Sequence, residues 1–160
     1  MAEQKTNVMR VLEQKKIPYS AHAYPHGDEA VDGVQVADLI GRPVDQVFKT
    51  LVAVGASKKN YVFVIPVDHA LELKKAAKVA GEKSVSMLKV SELFGLTGYV
   101  RGGCSPIGMK KQFPTFIHES CLEQETIIVS AGKIGQQVEL SPDALIKLIR
   151  ARTADVALKE

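Results

Sequence analysis

The sequence predicts an α+β domain: a curved, mostly antiparallel mixed sheet, or a partly closed barrel, with flanking helices. Three observations lead there. Short runs rich in Val, Ile, Phe and Thr recur along the chain. Helix start and stop signals fall at the beginning, middle and end. Regular β-α-β alternation, which a doubly wound parallel sheet requires, is absent. For 160 residues one core suffices, and no linker, fixed-period repeat or low-complexity tract divides the chain. A single domain over residues 1–160 is expected.

The elements follow in order. Thr6 reads as the N-cap of a helix to about Lys16, with Met9 and Leu12 on its inner side. Tyr19–Tyr24 alternates weakly and reads as a strand between Pro18 and Pro25. Gly33–Ile40 reads as a short helix stopped by Gly41. Val47–Val54 and Tyr61–Val67 are apolar runs joined by a polar turn, as in two paired strands. Asp68 is expected to precede a helix to Ala80, closed by Gly81, with Leu73, Ala76, Ala77 and Ala80 as its core stripe. Lys74, Lys75 and Lys78 lie on another side of it. Short strands are expected near Val85–Leu88, Gly98–Val100, Thr115–His118, Thr126–Ser130 and Gln137–Leu140. Ser141 as N-cap, Pro142 at the first helical position and Asp143 in the first turn start a last helix to about Arg150.

Composition excludes several classes. With 46% hydrophobic and 24% charged residues the chain is neither disordered nor unusual for a globular protein. Two Cys do not make a disulfide scaffold and suit a reducing compartment. The longest stretch without Asp, Glu, Lys or Arg is Ile17–Gly27, far short of the ~18 apolar residues of a membrane span. Met1–Arg10 has charges at Glu3, Lys5 and Arg10 and no apolar run after them, so no secretory leader is expected. A cytoplasmic location with no membrane partner follows. The net charge of +3, from 21 basic and 18 acidic residues, is too small to announce a nucleic-acid binder, although it leans toward anions. No DNA partner is expected.

Lys49 is the most informative residue. It lies in Gln46-Val47-Phe48-Lys49-Thr50-Leu51-Val52-Ala53-Val54, where alternation puts Val47, Lys49 and Leu51 on one face and Phe48, Thr50 and Val52 on the other. Both faces are largely apolar, so a cation there is expensive unless an anion or strong acceptor receives it. A phosphate or a carboxyl oxygen fits. An edge-strand lysine that blocks aggregation, or one that snorkels, is the structural alternative.

The segment Gly98–Gly108 holds Gly98, Gly102, Gly103, Gly108 and Pro106 in eleven positions, which no regular element tolerates. Gly102 and Gly103 permit close backbone approach and N–H groups aimed at an oxyanion or phosphate. A plain connection between strands is the alternative. Ser130-Ala131-Gly132-Lys133-Ile134-Gly135 is a third candidate loop. It is not a Walker A loop, which needs Gly in place of Ile127 and Ser or Thr in place of Ile134. No G-x-G-x-x-G occurs. His22 and His26 are separated by a proline-containing segment, and Cys104 and Cys121 lack zinc spacing, so no metal and no cofactor are expected. Cys104 as a thiol nucleophile is a minor alternative to a buried Cys. The stripe of Lys74, Lys75 and Lys78 reads as a solvated helix face or a phosphate contact.

Taken together, Val47-Phe48-Lys49-Thr50-Leu51, Leu73–Lys78, Thr97–Gly108 and Ile128–Lys133, in this order, resemble the YbaK/EbsC family of aminoacyl-tRNA editing proteins. The resemblance extends to the editing domain inserted in bacterial prolyl-tRNA synthetases and covers about Thr6 to Val156. It implies a free-standing deacylase that cleaves the ester of a mischarged tRNA, most of all Cys-tRNA(Pro), with action on Cys-tRNA(Cys) as well. An editing relative for Ala-tRNA(Pro) and a non-catalytic nucleotide or tRNA-end binding module are the alternatives. Lys49 matches the family's essential lysine and Thr50 follows it in the motif. Gly102 and Pro106 match its G-x-x-x-P loop, with Gly103 and Ser105 inside. Tyr24 matches a pocket tyrosine, and Ser130, with Gly132 after it, matches the second glycine loop. The resemblance implies the acylated 3′ end of tRNA as substrate and prolyl-tRNA synthetase as a transient partner. In such proteins the substrate's own thiol, or water, attacks the carbonyl. The chain departs from the pattern near Val31 and Asp32, where an aromatic residue is expected. Gln137 stands where an acid is frequent and Ala131 where a glycine is.

Overall fold

The computed structural model describes residues 5–160. The first four residues of the charged N-terminal stretch, read above as no leader, lie outside the described residues. Helix α1 spans Asn7–Gln14, and Thr6 caps it by accepting a hydrogen bond from the Met9 amide at 3.2 Å. Strand β1 is Ser20–Ala23 and helix α2 is Gly33–Leu39. Strands β2 (Phe48–Gly55) and β3 (Asn60–Pro66) pair antiparallel from Phe48↔Pro66 to Val54↔Asn60. The expected elements over this first part of the chain all form, within a residue or two at the ends.

After β3 the chain departs from the expectation. Asp68 does not start the next helix. His69–Leu71 forms a short strand, β4, and Glu72 caps helix α3 (Leu73–Ala80) by accepting from the Lys75 amide at 2.7 Å. Gly81 closes it in the left-handed conformation, as read. Leu73 is exposed, so the core stripe is carried by Ala76 and Ala77. Strand β5 is Val85–Met87. No strand forms at Gly98–Val100. Val90–Thr97 is instead a helix, α4, and Gly98 is its left-handed C-cap.

Strand β6 is Thr115–His118, followed by a 3-10 turn over Glu119–Glu123. Strands β7 (Ile127–Lys133) and β8 (Gln136–Leu140) form a hairpin with an irregularity between Ser130 and Lys133. Helix α5, Pro142–Ile149, starts as predicted, with the Ser141 hydroxyl accepting from the Ala144 amide. Two short strands close the chain, β9 (Arg152–Ala154) and β10 (Ala157–Lys159).

The main sheet has the order β5-β2-β3-β6-β9, antiparallel around β2 and parallel from β3 to β9. A second sheet is β1-β8-β7 and a third is the pair β10-β4. A single parallel bridge, Val47↔Ile128, ties the first two together. The result is a mixed, curved α+β arrangement that does not close into a barrel.

Both faces of the main sheet are buried. On one, Phe48, Val52, Val62, Val64 and Ile117 pack against α1 (Val8, Met9, Leu12), the β7–β8 hairpin and α5 (Leu145, Ile149). On the other, Ala53, Tyr61, Phe63, Ile65 and Phe116 pack against Ala76 and Ala77 of α3 and Val156 and Ala157. Phe63 and Phe116 are register partners and stack, ring centroids 5.5 Å apart. Each such buried side chain contributes about 1.5–3 kcal/mol.

Candidate active site

The site arises where the main sheet opens. Strand β2 is held on its β5 side at two points only. The Gln46 carbonyl receives the Ile128 amide, and the Val52 carbonyl receives the Leu88 amide next to the Ala53–Gly55 pairing with β5. Between them, Lys49–Leu51 have no strand neighbour on that side among the described residues. Alternation along an antiparallel strand turns the backbone of Thr50, like that of Val52, toward this side. The gap is the floor of a cleft of about 1050 Å³. Its walls come from residues 28–36, α4, the glycine loop and the β7–β8 hairpin.

Lys49 lies at this cleft, its side chain 31% exposed. The apolar surroundings predicted for the strand are present on both sheet faces. Yet the lysine side chain keeps contact with water. Its nearest anion is Glu160 Oε1 at 3.9 Å, on a side chain that is 64% exposed. An exposed pair of this kind contributes about 0–1 kcal/mol, so an incoming anion meets little competition. Thr50 lines the same cleft, and its Oγ1 is buried with no hydrogen-bond partner among the described residues. An orphaned hydroxyl beside a free strand edge is a place where a ligand can complete the hydrogen bonding.

Tyr24, Gly102 and Ser130 also line the cleft. Tyr24 follows β1, its amide fixed to the Gly135 carbonyl at 3.0 Å. The Ser130 hydroxyl accepts the Gly132 amide at 3.1 Å, which shapes the second glycine loop. Gly103, Ser105, Pro106 and Gly132 stand behind the wall. The Gly103 amide donates to the Val100 carbonyl at 3.0 Å, so it is spent on a turn. Ser105 is fully buried and accepts from the Ile107 amide; Pro106 is buried beside it. Gly132, at φ +99°, packs beneath Tyr99. Gly102 and Cys104 line the cleft, and their amides donate to no acceptor among the described residues.

Glycine is required at Gly102 for two reasons. Its φ is +85°, and a Cβ there would stand 2.6 Å from the Ala30 Cβ. The loop thereby presses the 28–32 segment against the cleft. Cys104 lines the cleft but is buried, and burial pushes its thiol up to about 12. A thiol held neutral is a poor nucleophile.

Several cleft residues were not site candidates from the sequence, although Asp32 and Gln137 stood out as departures from the family pattern. Arg101, beside Gly102, adds an exposed cation, and Asp28, Glu29 and Asp32 bring an acidic lip. Buried Gln137 and the α4 residues Val90 and Leu93 complete the lining. The α3 lysines do not line it, and Lys75 is engaged by Asp155 at 2.8 Å. His22 is likewise occupied, by Glu139 at 2.7 Å.

The model of the aminoacyl-tRNA editing domain matches residues 28–148, which contain every wall of the cleft except Tyr24. The chain belongs to the aminoacyl-tRNA editing domain family. A relative in Enterococcus faecalis (strain ATCC 700802 / V583), named as a candidate Cys-tRNA(Pro)/Cys-tRNA(Cys) deacylase, EbsC, is 46% identical over 99% of this chain and 96% of its own. YwhH of Bacillus subtilis (strain 168) is 26% identical over 69% of this chain and 70% of its own. A solved structure described as a candidate trans-editing enzyme for prolyl tRNA synthetase superimposes with a TM-score of 0.82. It is 24% identical and covers 100% of this chain and 99% of its own. The α+β architecture read from the sequence is therefore that of the editing fold. No described helix is long and apolar enough to cross a membrane.

Proposed function

We propose that this chain is a single-domain trans-editing deacylase. It cleaves the aminoacyl ester of a misacylated tRNA, Cys-tRNA(Pro) first and Cys-tRNA(Cys) as well. The observation that carries the reading is the gap in the main sheet, where Lys49, the unpartnered Thr50 hydroxyl and the free amides of the glycine loop meet one cleft in an editing-family chain. An aminoacyl ester is already activated, so electrostatic stabilisation of the developing oxyanion suffices. Lys49 holds the phosphate or carbonyl region of the 3′-terminal adenosine. The amides of Gly102 and Cys104 face the oxyanion, and Thr50 and Tyr24 orient the aminoacyl group. The attacking group is the substrate's own thiol or water. In the first case a carbon–sulfur bond forms, the ester carbon–oxygen bond breaks, and the terminal ribose hydroxyl leaves with a proton. The elevated Cys104 thiol supports a mechanism without a protein nucleophile.

The charge of +3 supports a grip confined to the acylated end, with weak tRNA discrimination and cytoplasmic prolyl-tRNA synthetase as a transient partner. The experiment is a deacylation panel with one tRNA(Pro) carrying cysteine, alanine or proline in turn. Cysteine released fastest is expected. Alanine released fastest would reassign the specificity, and binding without turnover of any ester would make the chain a tRNA-end binding module.

A further inference from the structure

Helix α4 builds a wall of the cleft through Val90 and Leu93, yet it leaves Phe94 outside. Val90 and Phe94 are four residues apart and share one helical face. Both are 60% exposed. Met87 and Val100, also exposed, line the same cleft. A cluster of exposed apolar side chains at the mouth of a site marks a surface that receives something.

The cations beside it indicate what. The Lys110 ammonium lies 5.5 Å from the centre of the Phe94 ring. Its amide donates to the Thr97 carbonyl at 3.0 Å, which fixes Lys110 at the C-terminus of α4. Arg101 lines the cleft, and Lys89 immediately precedes the helix; both are exposed. Glu92 is the one acid within α4. An aromatic face flanked by cations suits a stacked nucleobase whose phosphates rest on lysine and arginine.

We propose that Phe94, with Lys110 and Arg101, is a stacking platform for the unpaired nucleotides that precede the acylated 3′-terminal nucleotide. The proposal rests on the reading of the cleft as an editing site and extends it from the ester to the strand that carries it. The acylated nucleotide enters the gap at β2, while a preceding base covers the ring and a phosphate meets Lys110.

The chain has no Trp, so Phe94→Trp puts a single tryptophan, excitable apart from the tyrosines, on the platform and keeps an aromatic face. This variant is titrated with an unacylated oligoribonucleotide ending in CCA and with a blunt RNA hairpin of equal length. The single strand should quench saturably and bind at least about tenfold more tightly than the hairpin. Adding Lys110→Gln should lower the slope of log affinity against log salt by about 0.7. In deacylation, Phe94→Leu should raise KM for acylated tRNA about tenfold with little change in kcat, while Phe94→Trp restores it. The KM for the corresponding aminoacyl-adenosine ester, which has no preceding nucleotide, should not rise with it. No quenching, equal quenching by strand and hairpin, or an unmoved KM in Phe94→Leu overturns the platform. A wild type that cleaves no aminoacyl ester overturns the deacylase reading instead, while the quenching still reports on the platform.

Discussion

At the scale of the residue, Lys49 and Thr50 are neighbours in sequence with opposite legibility. A cation inside an apolar strand is visible without coordinates, because its desolvation cost asks for a partner. The need proved milder than the strand pattern implied, since the gap in the sheet leaves Lys49 partly in water. Thr50 came only from the family motif, and its orphaned hydroxyl is a property of the packing. That hydroxyl gives a diagnostic variant. Thr50→Val keeps the shape and removes a buried unsatisfied group that costs about 1–3 kcal/mol. The melting temperature should hold or rise while kcat/KM falls; a fall in both would assign Thr50 a purely structural task. Cys104 gives the converse. With its thiol at about 12, Cys104→Ala should retain the deacylation rate, after correction for a packing loss of about 1 kcal/mol. Loss of turnover in a folded Cys104→Ala protein would restore the thiol as nucleophile.

At the scale of the element, local signals located α1 and α5 through their caps Thr6 and Ser141. Thr6 and Ser141 each receive an amide hydrogen bond, and both helices start where the sequence places them. Helix α4 has no side-chain cap and contains Gly95, so no start signal in its sequence announces it. Its stop signal, Gly98, was visible but was read as part of a strand. Asp68 misled for a related reason: it resembles a cap, but the pairing of β4 with β10 extends the chain past it to Glu72. The short strands β4, β9 and β10 have three residues each and depend on distant partners for their existence. The glycine loop was legible as irregular, but its division of labour was not. Gly102 →Ala should cost about 1–3 kcal/mol through its left-handed φ. It should also push Ala30 away and disturb the cleft. Chemical denaturation together with a deacylation assay checks this, and a variant with wild-type stability would show that the close approach to Ala30 is not needed.

At the scale of the whole molecule, the main sheet carries an apolar layer on each face, and strand β10 seals one of them beside His118. The His118 ring is buried, and its Nδ1 accepts the Val156 amide at 3.3 Å. Burial, and then the nearby His69, lower its pKa; Lys75 acts the same way, while Asp155 and Glu119 oppose. His69 is itself held by Asp68 at 2.8 Å, its ring 5.6 Å from that of His118. Below about pH 6.5 the unfolded chain therefore binds more protons at this site than the folded one. Stability is fully present above that pH and is lost as pH falls through the folded pKa. The urea midpoint should drop between pH 8 and pH 5.5 in wild type and drop less in His118→Gln. Equal drops would place the pH response elsewhere. Fold class and the central strand pair were legible because periodicity and turn signals record them. The gap in the sheet was not, because it depends on where β5 and β7 stop pairing with β2.

The proposed cleavage of a mischarged ester depends on Lys49 at that gap. The most direct test is single-turnover deacylation of Cys-tRNA(Pro) by wild type, Lys49→Ala and Lys49→Arg, with folding verified by circular dichroism. Wild type should release cysteine, Lys49→Ala should be slower by about 10²-fold or more, as for removal of an oxyanion-stabilising group, and Lys49→Arg should recover part of the rate. Equal rates in wild type and Lys49→Ala would contradict that dependence.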